Sequence, residues 1–166
     1  MIYSIVLEMK KLLRNADGWL TKAVAYGAAK NFDPNILLQS RLAPDMFPLV
    51  RQIQGACDQA KYAAARTAGK EPPAHPDNEQ TIDDLRKRIA SVAAYLETFN
   101  KADFEGAANR SVSLPRWEGK SMTATDYFTE HALPNFFFHL TTAYAIFRHN
   151  GVDVGKRDYL GALSLR

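Results

Sequence analysis

The residues best suited to chemistry in this sequence lie close together in its last third. Asn135, His139 and Thr142 follow one another at steps of four and three residues, which places them on one face of an α-helix. A histidine exchanges protons, accepts hydrogen bonds and binds divalent metals near neutral pH. Asparagine is a poor ligand for zinc or nickel, so this face predicts a small-molecule pocket more readily than a complete metal site.

A second polar stripe lies in an earlier segment. Gln54, Asp58 and Lys61 border the apolar face of a predicted helix over residues 46–68. One interpretation is a solvated face with a weak Asp58–Lys61 ion pair. The alternative is that the stripe faces the helix of His139, where Asp58 would raise the pKa of the imidazole and orient its ring as an acid–base pair. The sequence leaves both interpretations open.

Metal and thiol chemistry are further alternatives. His139 and Asp58 are the candidate ligands of a divalent ion (zinc, nickel or manganese), with Asn135 or water completing the site. Cys57 stands among apolar residues, which predicts a buried thiol rather than a nucleophile. The sequence holds no glycine-rich phosphate loop, no HExxH and no Gly-x-Ser-x-Gly, which argues against a kinase, a zincin and a serine hydrolase.

The other histidines receive simpler interpretations. His131 and His149 are expected at an interface or at a helix end, and His75, in a loop rich in proline, is expected in solvent.

Apolar side chains at steps of three and four residues predict the elements that position these groups. Long helices are expected over residues 4–28, 46–68, 79–99 and about 125–149, with a β-hairpin over 111–123 and a short packed tail from Val152 to Arg166. We therefore predict one all-α domain spanning residues 1–166, a four-helix bundle with a small β-hairpin before the last helix.

The last helix is unusual because no charged residue stands between Glu130 and Arg148. One face is predicted to fill the core, with Leu133, Phe136, Phe137, Leu140, Tyr144 and Phe147. The other face carries His131, Asn135, His139 and Thr142 beside Phe128 and Ile146, and we expect it to abut a partner subunit or an internal pocket. Pro134 is expected to kink this helix.

Composition narrows the class of protein. Of 166 residues, 46% are hydrophobic and 23% are charged, and the net charge is only +3, so neither disorder nor nucleic-acid binding is indicated. The single cysteine cannot form an internal disulfide, and we find neither a signal peptide nor a membrane-spanning stretch. We expect a cytoplasmic protein that binds neither nucleic acid nor membrane.

Two long segments carry a resemblance to a known superfamily. Residues 41–49 (RLAPDMFPL) and 132–152 (ALPNFFFHLTTAYAIFRHNGV), with 155–161 (GKRDYLG) after them, resemble an uncharacterised, domain-of-unknown-function branch of the DinB/YfiT-like superfamily. The resemblance implies a DinB-like up-down-down-up four-helix bundle that commonly forms a homodimer. Many members hold a divalent metal through three histidines, and some are thiol-dependent transferases or metal-dependent hydrolases.

The sequence departs from the superfamily's metal motif. The motif places a His-x-x-x-His pair in the last helix, with the second histidine twelve residues before a glycine. Counted back from Gly151, the second position is His139 and the first is Asn135, and the helix over 46–68 has no histidine. The resemblance therefore implies a degenerate metal site.

Three hypotheses follow. The leading one is a homodimeric bundle with a small-molecule pocket between helices two and four, lined by Gln54, Asp58, Asn135, His139 and Thr142. The second is a metal- or thiol-dependent transferase or hydrolase. The third is a non-enzymatic, stress-related or interaction protein that acts as a dimer.

Overall fold

The computed structural model describes residues 1–165, which form six α-helices and one small hairpin. The α-helices are α1 (Ile2–Lys30), α2 (Leu49–Ala68), α3 (Ile82–Glu97), α4 (Ala124–Asp126), α5 (Leu133–His149) and α6 (Lys156–Leu160). A π-helical segment (Tyr127–Ala132) joins α4 to α5, and short 3₁₀ turns lie at Pro34–Gln39, Lys101–Phe104, Ala107–Asn109 and Pro115–Trp117. Within residues 1–165, no helix has both the length and the apolar composition needed to cross a bilayer.

The four long helices form the predicted bundle. The most extensive packing is between α2 and α5, and α1 packs chiefly on α3. Strand β1 (Ser111–Val112) pairs antiparallel with β2 (Met122–Thr123), as the alternating pattern over 111–123 predicted. The architecture is therefore all-α with a small hairpin before the last helix.

Capping groups explain where the helices begin and end. Thr81 starts α3 with a capping box, in which its hydroxyl accepts from the Asp84 amide and the Asp84 carboxylate accepts from the Thr81 amide. Helix α4 begins at Ala124, because the Thr123 hydroxyl accepts from the Asp126 amide at 3.1 Å. At the end of α2, Gly69 takes a φ of 71°, which suits a residue without a Cβ.

The predicted packed tail is confirmed as far as Tyr159 by its contacts with α1, and Arg166 lies outside the described residues. The Tyr159 ring stacks on Trp19 with a centroid distance of 5.6 Å, and the Trp19 indole N–H donates to the Asp158 carbonyl at 3.1 Å. Lys22 and the Asp158 carboxylate form an ion pair at 2.8 Å. The tail therefore covers one side of the core.

The face that α5 buries differs from the predicted one. Phe128 and Ile146, expected on the outer face, are fully buried, whereas Phe137 is 37% exposed and Phe138 is 55% exposed. The reason is that α5 is covered by α2 as well as by α1, so that its buried arc is wide and includes the His139 side. The predicted helical spacing is confirmed, but the prediction of which residues face the core was wrong for Phe128, Ile146 and Phe137.

The irregularity expected at Pro134 takes the form of the π-helical segment. Proline has no amide hydrogen, and its ring collides with the carbonyl four residues earlier in a regular α-helix. The wider turn over Tyr127–Ala132 ends two residues before Pro134 and accommodates this conflict.

Candidate functional site

His139 lies in the seam between α2 and α5, directly against the backbone of Gly55. A Cβ added to residue 55 would lie 2.8 Å from both Cγ and Nδ1 of the His139 ring, which is shorter than any ordinary contact. Glycine inside a helix costs about 1 kcal/mol relative to alanine. The close approach of the imidazole explains why this cost is tolerated at Gly55.

Gln52 determines which nitrogen of His139 carries the proton. The Gln52 side-chain N–H donates to the Phe47 carbonyl at 3.1 Å, and Gln52 Oε1 lies 2.8 Å from His139 Nδ1. A carbonyl only accepts hydrogen bonds, so the amide nitrogen must face Phe47 and Oε1 must face the imidazole. Nδ1 is therefore the donor, and Nε2 carries the lone pair.

The lone pair on Nε2 is available to a ligand. Within residues 1–165 Nε2 has no hydrogen-bond partner, and it is not among the polar atoms sealed from solvent. Burial lowers the pKa of His139, Asp58 offsets part of this effect, and Arg51 lowers the pKa further. The predicted direction of the Asp58 effect is correct, but burial outweighs it, so the imidazole is neutral at neutral pH.

The stripe of Gln54 and Asp58 is not solvated, because both side chains are bound within the protein. The Asp58 carboxylate accepts from Arg88 at 2.7 Å and from Lys61 at 2.8 Å, and both cations are buried. The Gln54 side-chain N–H donates to Glu79 at 2.6 Å. The reason is that α3 and the connection before it pack against this face of α2. The sequence spacing did not predict this packing. Gln54 and Asp58 thus belong to a buried ionic cluster beside the seam.

Thr142 and Asn135 are the two remaining predicted pocket residues, and only Asn135 has a side-chain amide without a hydrogen bond in the described chain. Thr142 is buried, and its hydroxyl donates to the Phe138 carbonyl of the same helix at 2.7 Å. The half-buried side chain of Asn135 lies one turn before His139 and has no hydrogen bond within the described chain. The candidate site therefore consists of His139, Asn135 and the supporting residues Gln52 and Gly55.

The sequence contained signals for the two supporting residues. Gln52 is polar but shares a helical face with the apolar residues Leu49 and Ala56, and it is only 1% exposed. Gly55 stands inside a long helix, where a glycine often marks a close approach. Both lie on the face that meets α5, which the spacing within α2 alone could not identify.

The residues around His139 do not fit the three-histidine metal site that the resemblance implies. One imidazole is hydrogen-bonded to the Gln52 amide, with Asn135 one turn earlier on the same helix, and Asp58 is neutralised by two cations. No group of three or more His, Cys, Asp or Glu side chains suited to a metal occurs within residues 1–165. Amides are weak ligands for zinc and nickel, so this donor set does not reproduce the superfamily's metal centre.

Cys57 is fully buried, as predicted. Burial raises the pKa of its thiol to about 12, so the thiol is protonated at neutral pH. It packs in the core and has no nucleophilic character there.

His75 differs from its prediction, because it is a structural contact rather than a solvated side chain. Its Nδ1 accepts from Lys61 at 3.1 Å, and Nε2 lies 2.9 Å from the Ser91 hydroxyl. The imidazole therefore fixes the connection between α2 and α3 to both helices. His149 is exposed at the end of α5, as predicted.

Comparisons with known proteins agree with this fold. Residues 2–160 match the family model described as Domain of unknown function (DUF1993). A crystal structure of a DinB family member protein from Shewanella denitrificans is 50% identical, with a TM-score of 0.96, and the alignment covers 100% of this chain and 95% of that chain. No protein with a curated description matches.

The match covers nearly the whole sequence, including all four long helices and the hairpin. It confirms the predicted DinB-like four-helix bundle and the resemblance from which that prediction came. The chain belongs to the DUF1993 family of DinB-like proteins.

Proposed function

We propose that this protein binds a small molecule at the seam between α2 and α5, with His139 Nε2 as the acceptor for a proton donor on the ligand. The observation that carries the proposal is the chain of hydrogen bonds from Phe47 through Gln52 to His139 Nδ1. This chain orients the ring and leaves the Nε2 lone pair free. Asn135, one turn away, supplies the second polar group.

The surroundings favour a weakly acidic, partly apolar ligand. The Phe138 ring is 55% exposed and lies edge-on to the His139 ring, with 5.4 Å between the centroids. A neutral imidazole has no charge with which to attract an anion, but it accepts a hydrogen bond from a hydroxyl. A phenol combines the hydroxyl with an aromatic surface, so phenols are the class we propose. The same nitrogen is suited to act as a general base toward such a hydroxyl.

Titration with 4-methylphenol tests this proposal. In protein labelled with ¹⁵N-histidine, 4-methylphenol should shift the His139 Nε2 resonance, and 4-methylanisole, which lacks the hydroxyl, should not. The His139→Ala variant should lose the binding, whereas His149→Ala, at the exposed end of the same helix, should retain it. An equal response to both compounds would contradict a role for the lone pair.

Metal content tests the alternative of a metal-dependent transferase or hydrolase. Protein purified without added metal should contain no stoichiometric zinc, nickel or manganese, and none of these ions should raise its melting temperature. A tightly held ion that is lost in His139→Ala would refute the small-molecule proposal and favour the metal alternative.

We also propose that a second copy of the chain packs on the connection between α1 and α2. Ile36, Leu42 and Phe47 in this connection are 61%, 43% and 57% exposed. Large exposed apolar side chains in one segment are typical of protein interfaces. Phe47→Ser should therefore convert a dimer to a monomer in light-scattering measurements, and a wild-type protein that elutes as a monomer would contradict this interface. A substitution of Ile146, which the sequence placed on the face expected to meet a partner subunit, cannot test dimerisation, because Ile146 is fully buried.

A further inference from the structure

A cavity of about 300 Å³ lies two turns along the bundle from His139. Its walls are Gln59, Tyr62 and Arg66 of α2, residues 114–116 before and within a 3₁₀ turn, and His131 of the π-helical segment. Its volume is near the lower end of the range for small-molecule sites. None of these residues belongs to the seam site.

The cavity contains two guanidinium groups without a carboxylate. Arg66 donates to the Tyr127 hydroxyl at 3.0 Å and lies 4.2 Å from the centroid of the Tyr62 ring. Arg116 contacts the His131 ring at Nε2. Within residues 1–165, no Asp or Glu side chain lies within ion-pairing distance of either arginine. The cavity therefore carries two positive charges that the described chain does not neutralise.

The histidine at this cavity has a defined tautomer. A guanidinium only donates hydrogen bonds, so Nε2 of His131 must accept from Arg116 and the ring proton must sit on Nδ1. Burial lowers the pKa of His131, and the charges of Arg116 and Arg66 lower it further, which keeps the ring neutral.

Two polar atoms at this cavity lack a partner. His131 Nδ1 and Gln59 Oε1 are both buried and make no hydrogen bond in the described chain. Buried polar atoms are normally satisfied, and exceptions require an explanation. The unpartnered Nδ1–H of His131 is a donor, which a ligand carboxylate oxygen would satisfy after a small local adjustment.

The π-helical segment brings these groups together. It stacks the His131 ring on Tyr127 with a centroid distance of 5.3 Å and an interplanar angle of 17°, while Tyr127 also accepts from Arg66. Segments of this kind are frequent at functional sites. The segment therefore supplies one wall of the cavity through His131.

We propose that this cavity binds a small planar organic carboxylate. The carboxylate lies between Arg66 and Arg116, whose planar guanidinium groups match the two carboxylate oxygens, and the planar body lies against Tyr62 and Leu114. This site is independent of the proposed function, because it uses none of the residues around His139. Benzoate binding should therefore persist in His139→Ala.

Benzoate is the probe for this site, and calorimetry is the measurement. Benzoate should bind, and benzamide, which has the same shape without the charge, should bind at least about tenfold more weakly. Inorganic phosphate, which lacks the planar body, should also bind more weakly. Phosphate that binds as tightly as benzoate would overturn the assignment of a planar carboxylate, and an absence of benzoate binding at millimolar concentration would overturn the site.

Arginine variants locate the site. Arg116→Gln should weaken benzoate binding at least about tenfold, because Arg116 is exposed at the mouth of the cavity and its loss leaves the core intact. Arg157→Gln is the matched control, because Arg157 is exposed on α6 and does not line the cavity. Arg66→Gln should have a similar effect, with circular dichroism confirming that the bundle is folded. Equal benzoate affinity in wild type and Arg116→Gln would contradict the proposal.

Discussion

Among individual residues, Gly55 leaves no room for a side chain in the seam between α2 and α5. We expect Gly55→Ala to destabilise the protein by about 1 to 3 kcal/mol, although alanine is the better helix former. The reason is that the new Cβ would lie 2.8 Å from the His139 ring. Urea denaturation monitored by circular dichroism measures the change in the free energy of unfolding.

Gly18 provides a matched control for this substitution. It also lies inside a long helix, but no atom approaches within 4 Å of the position of an added Cβ. Gly18→Ala should therefore stabilise the protein by roughly 0.5 to 1 kcal/mol. In a His139→Ala background, the cost of Gly55→Ala should largely disappear. A Gly55→Ala protein as stable as the wild type would show that the imidazole does not pack against the backbone of residue 55.

The lowered pKa of His139 has a consequence for stability at mildly acidic pH. The unfolded chain takes up a proton near its ordinary pKa of about 6.5, whereas the folded chain takes it up only at lower pH. The contribution of the neutral His139 ring to the free energy of unfolding is therefore fully present above about pH 6.5. It is lost as the pH falls toward the pKa of the folded state. We expect the free energy of unfolding to decrease between pH 7 and pH 5, and His139→Gln to reduce that decrease.

His75 and His131 also have lowered pKa values, so part of the pH dependence should remain in His139→Gln. His149→Gln, at an exposed position, serves as the control and should leave the wild-type slope unchanged. An identical slope in wild type and His139→Gln would contradict the burial of a neutral imidazole at residue 139.

Among the elements, α2, α3 and the connection between them are joined by the buried ionic cluster. Arg88 is central, because its guanidinium binds Asp58 at 2.7 Å, Glu79 at 2.9 Å and Asp77 at 3.0 Å while its side chain is only 1% exposed. Removing one member of a buried ion cluster leaves its partners uncompensated. The connection of residues 69–81 thus depends on Arg88 for its position.

We expect Arg88→Met to lower the free energy of unfolding by about 3 to 5 kcal/mol. Lys87→Met, at the neighbouring position on α3, should change it by less than about 0.5 kcal/mol, because the Lys87 side chain is 80% exposed. Thermal denaturation of the two variants side by side gives the comparison. Similar melting temperatures would contradict a structural role for the cluster.

The elements were predictable to different degrees, for physical reasons. Helices and hairpin follow from local periodicity, which residues close in sequence determine. The centre of the buried face of α5 was not predictable, because it depends on how α2 and α1 both cover that helix. The Asp58–Arg88 ion pair was also missed, because α3 is placed against α2 by a proline-rich connection whose path no spacing rule describes.

The molecule as a whole has the DinB-like bundle but a different set of groups at the expected metal position. His139 was predicted as a pocket residue from the uncharged polar face of its helix, and its distance to Gly151 located the degenerate metal position. Gln52 and Gly55 were missed, because their roles appear only when α2 lies against α5. The cavity with Arg66 and Arg116 was missed because it forms only where α2, the 3₁₀ turn at Pro115–Trp117 and the π-helical segment meet.

The tautomer of His139 is the most direct test of the seam site. A long-range ¹H–¹⁵N correlation spectrum of ¹⁵N-histidine protein at pH 7.5 distinguishes a protonated ring nitrogen from an unprotonated one, and the His139→Gln spectrum assigns the signals. We expect the proton on Nδ1, where Gln52 accepts it, and an unprotonated Nε2. A proton on Nε2, or a charged ring at this pH, would contradict the proposed site.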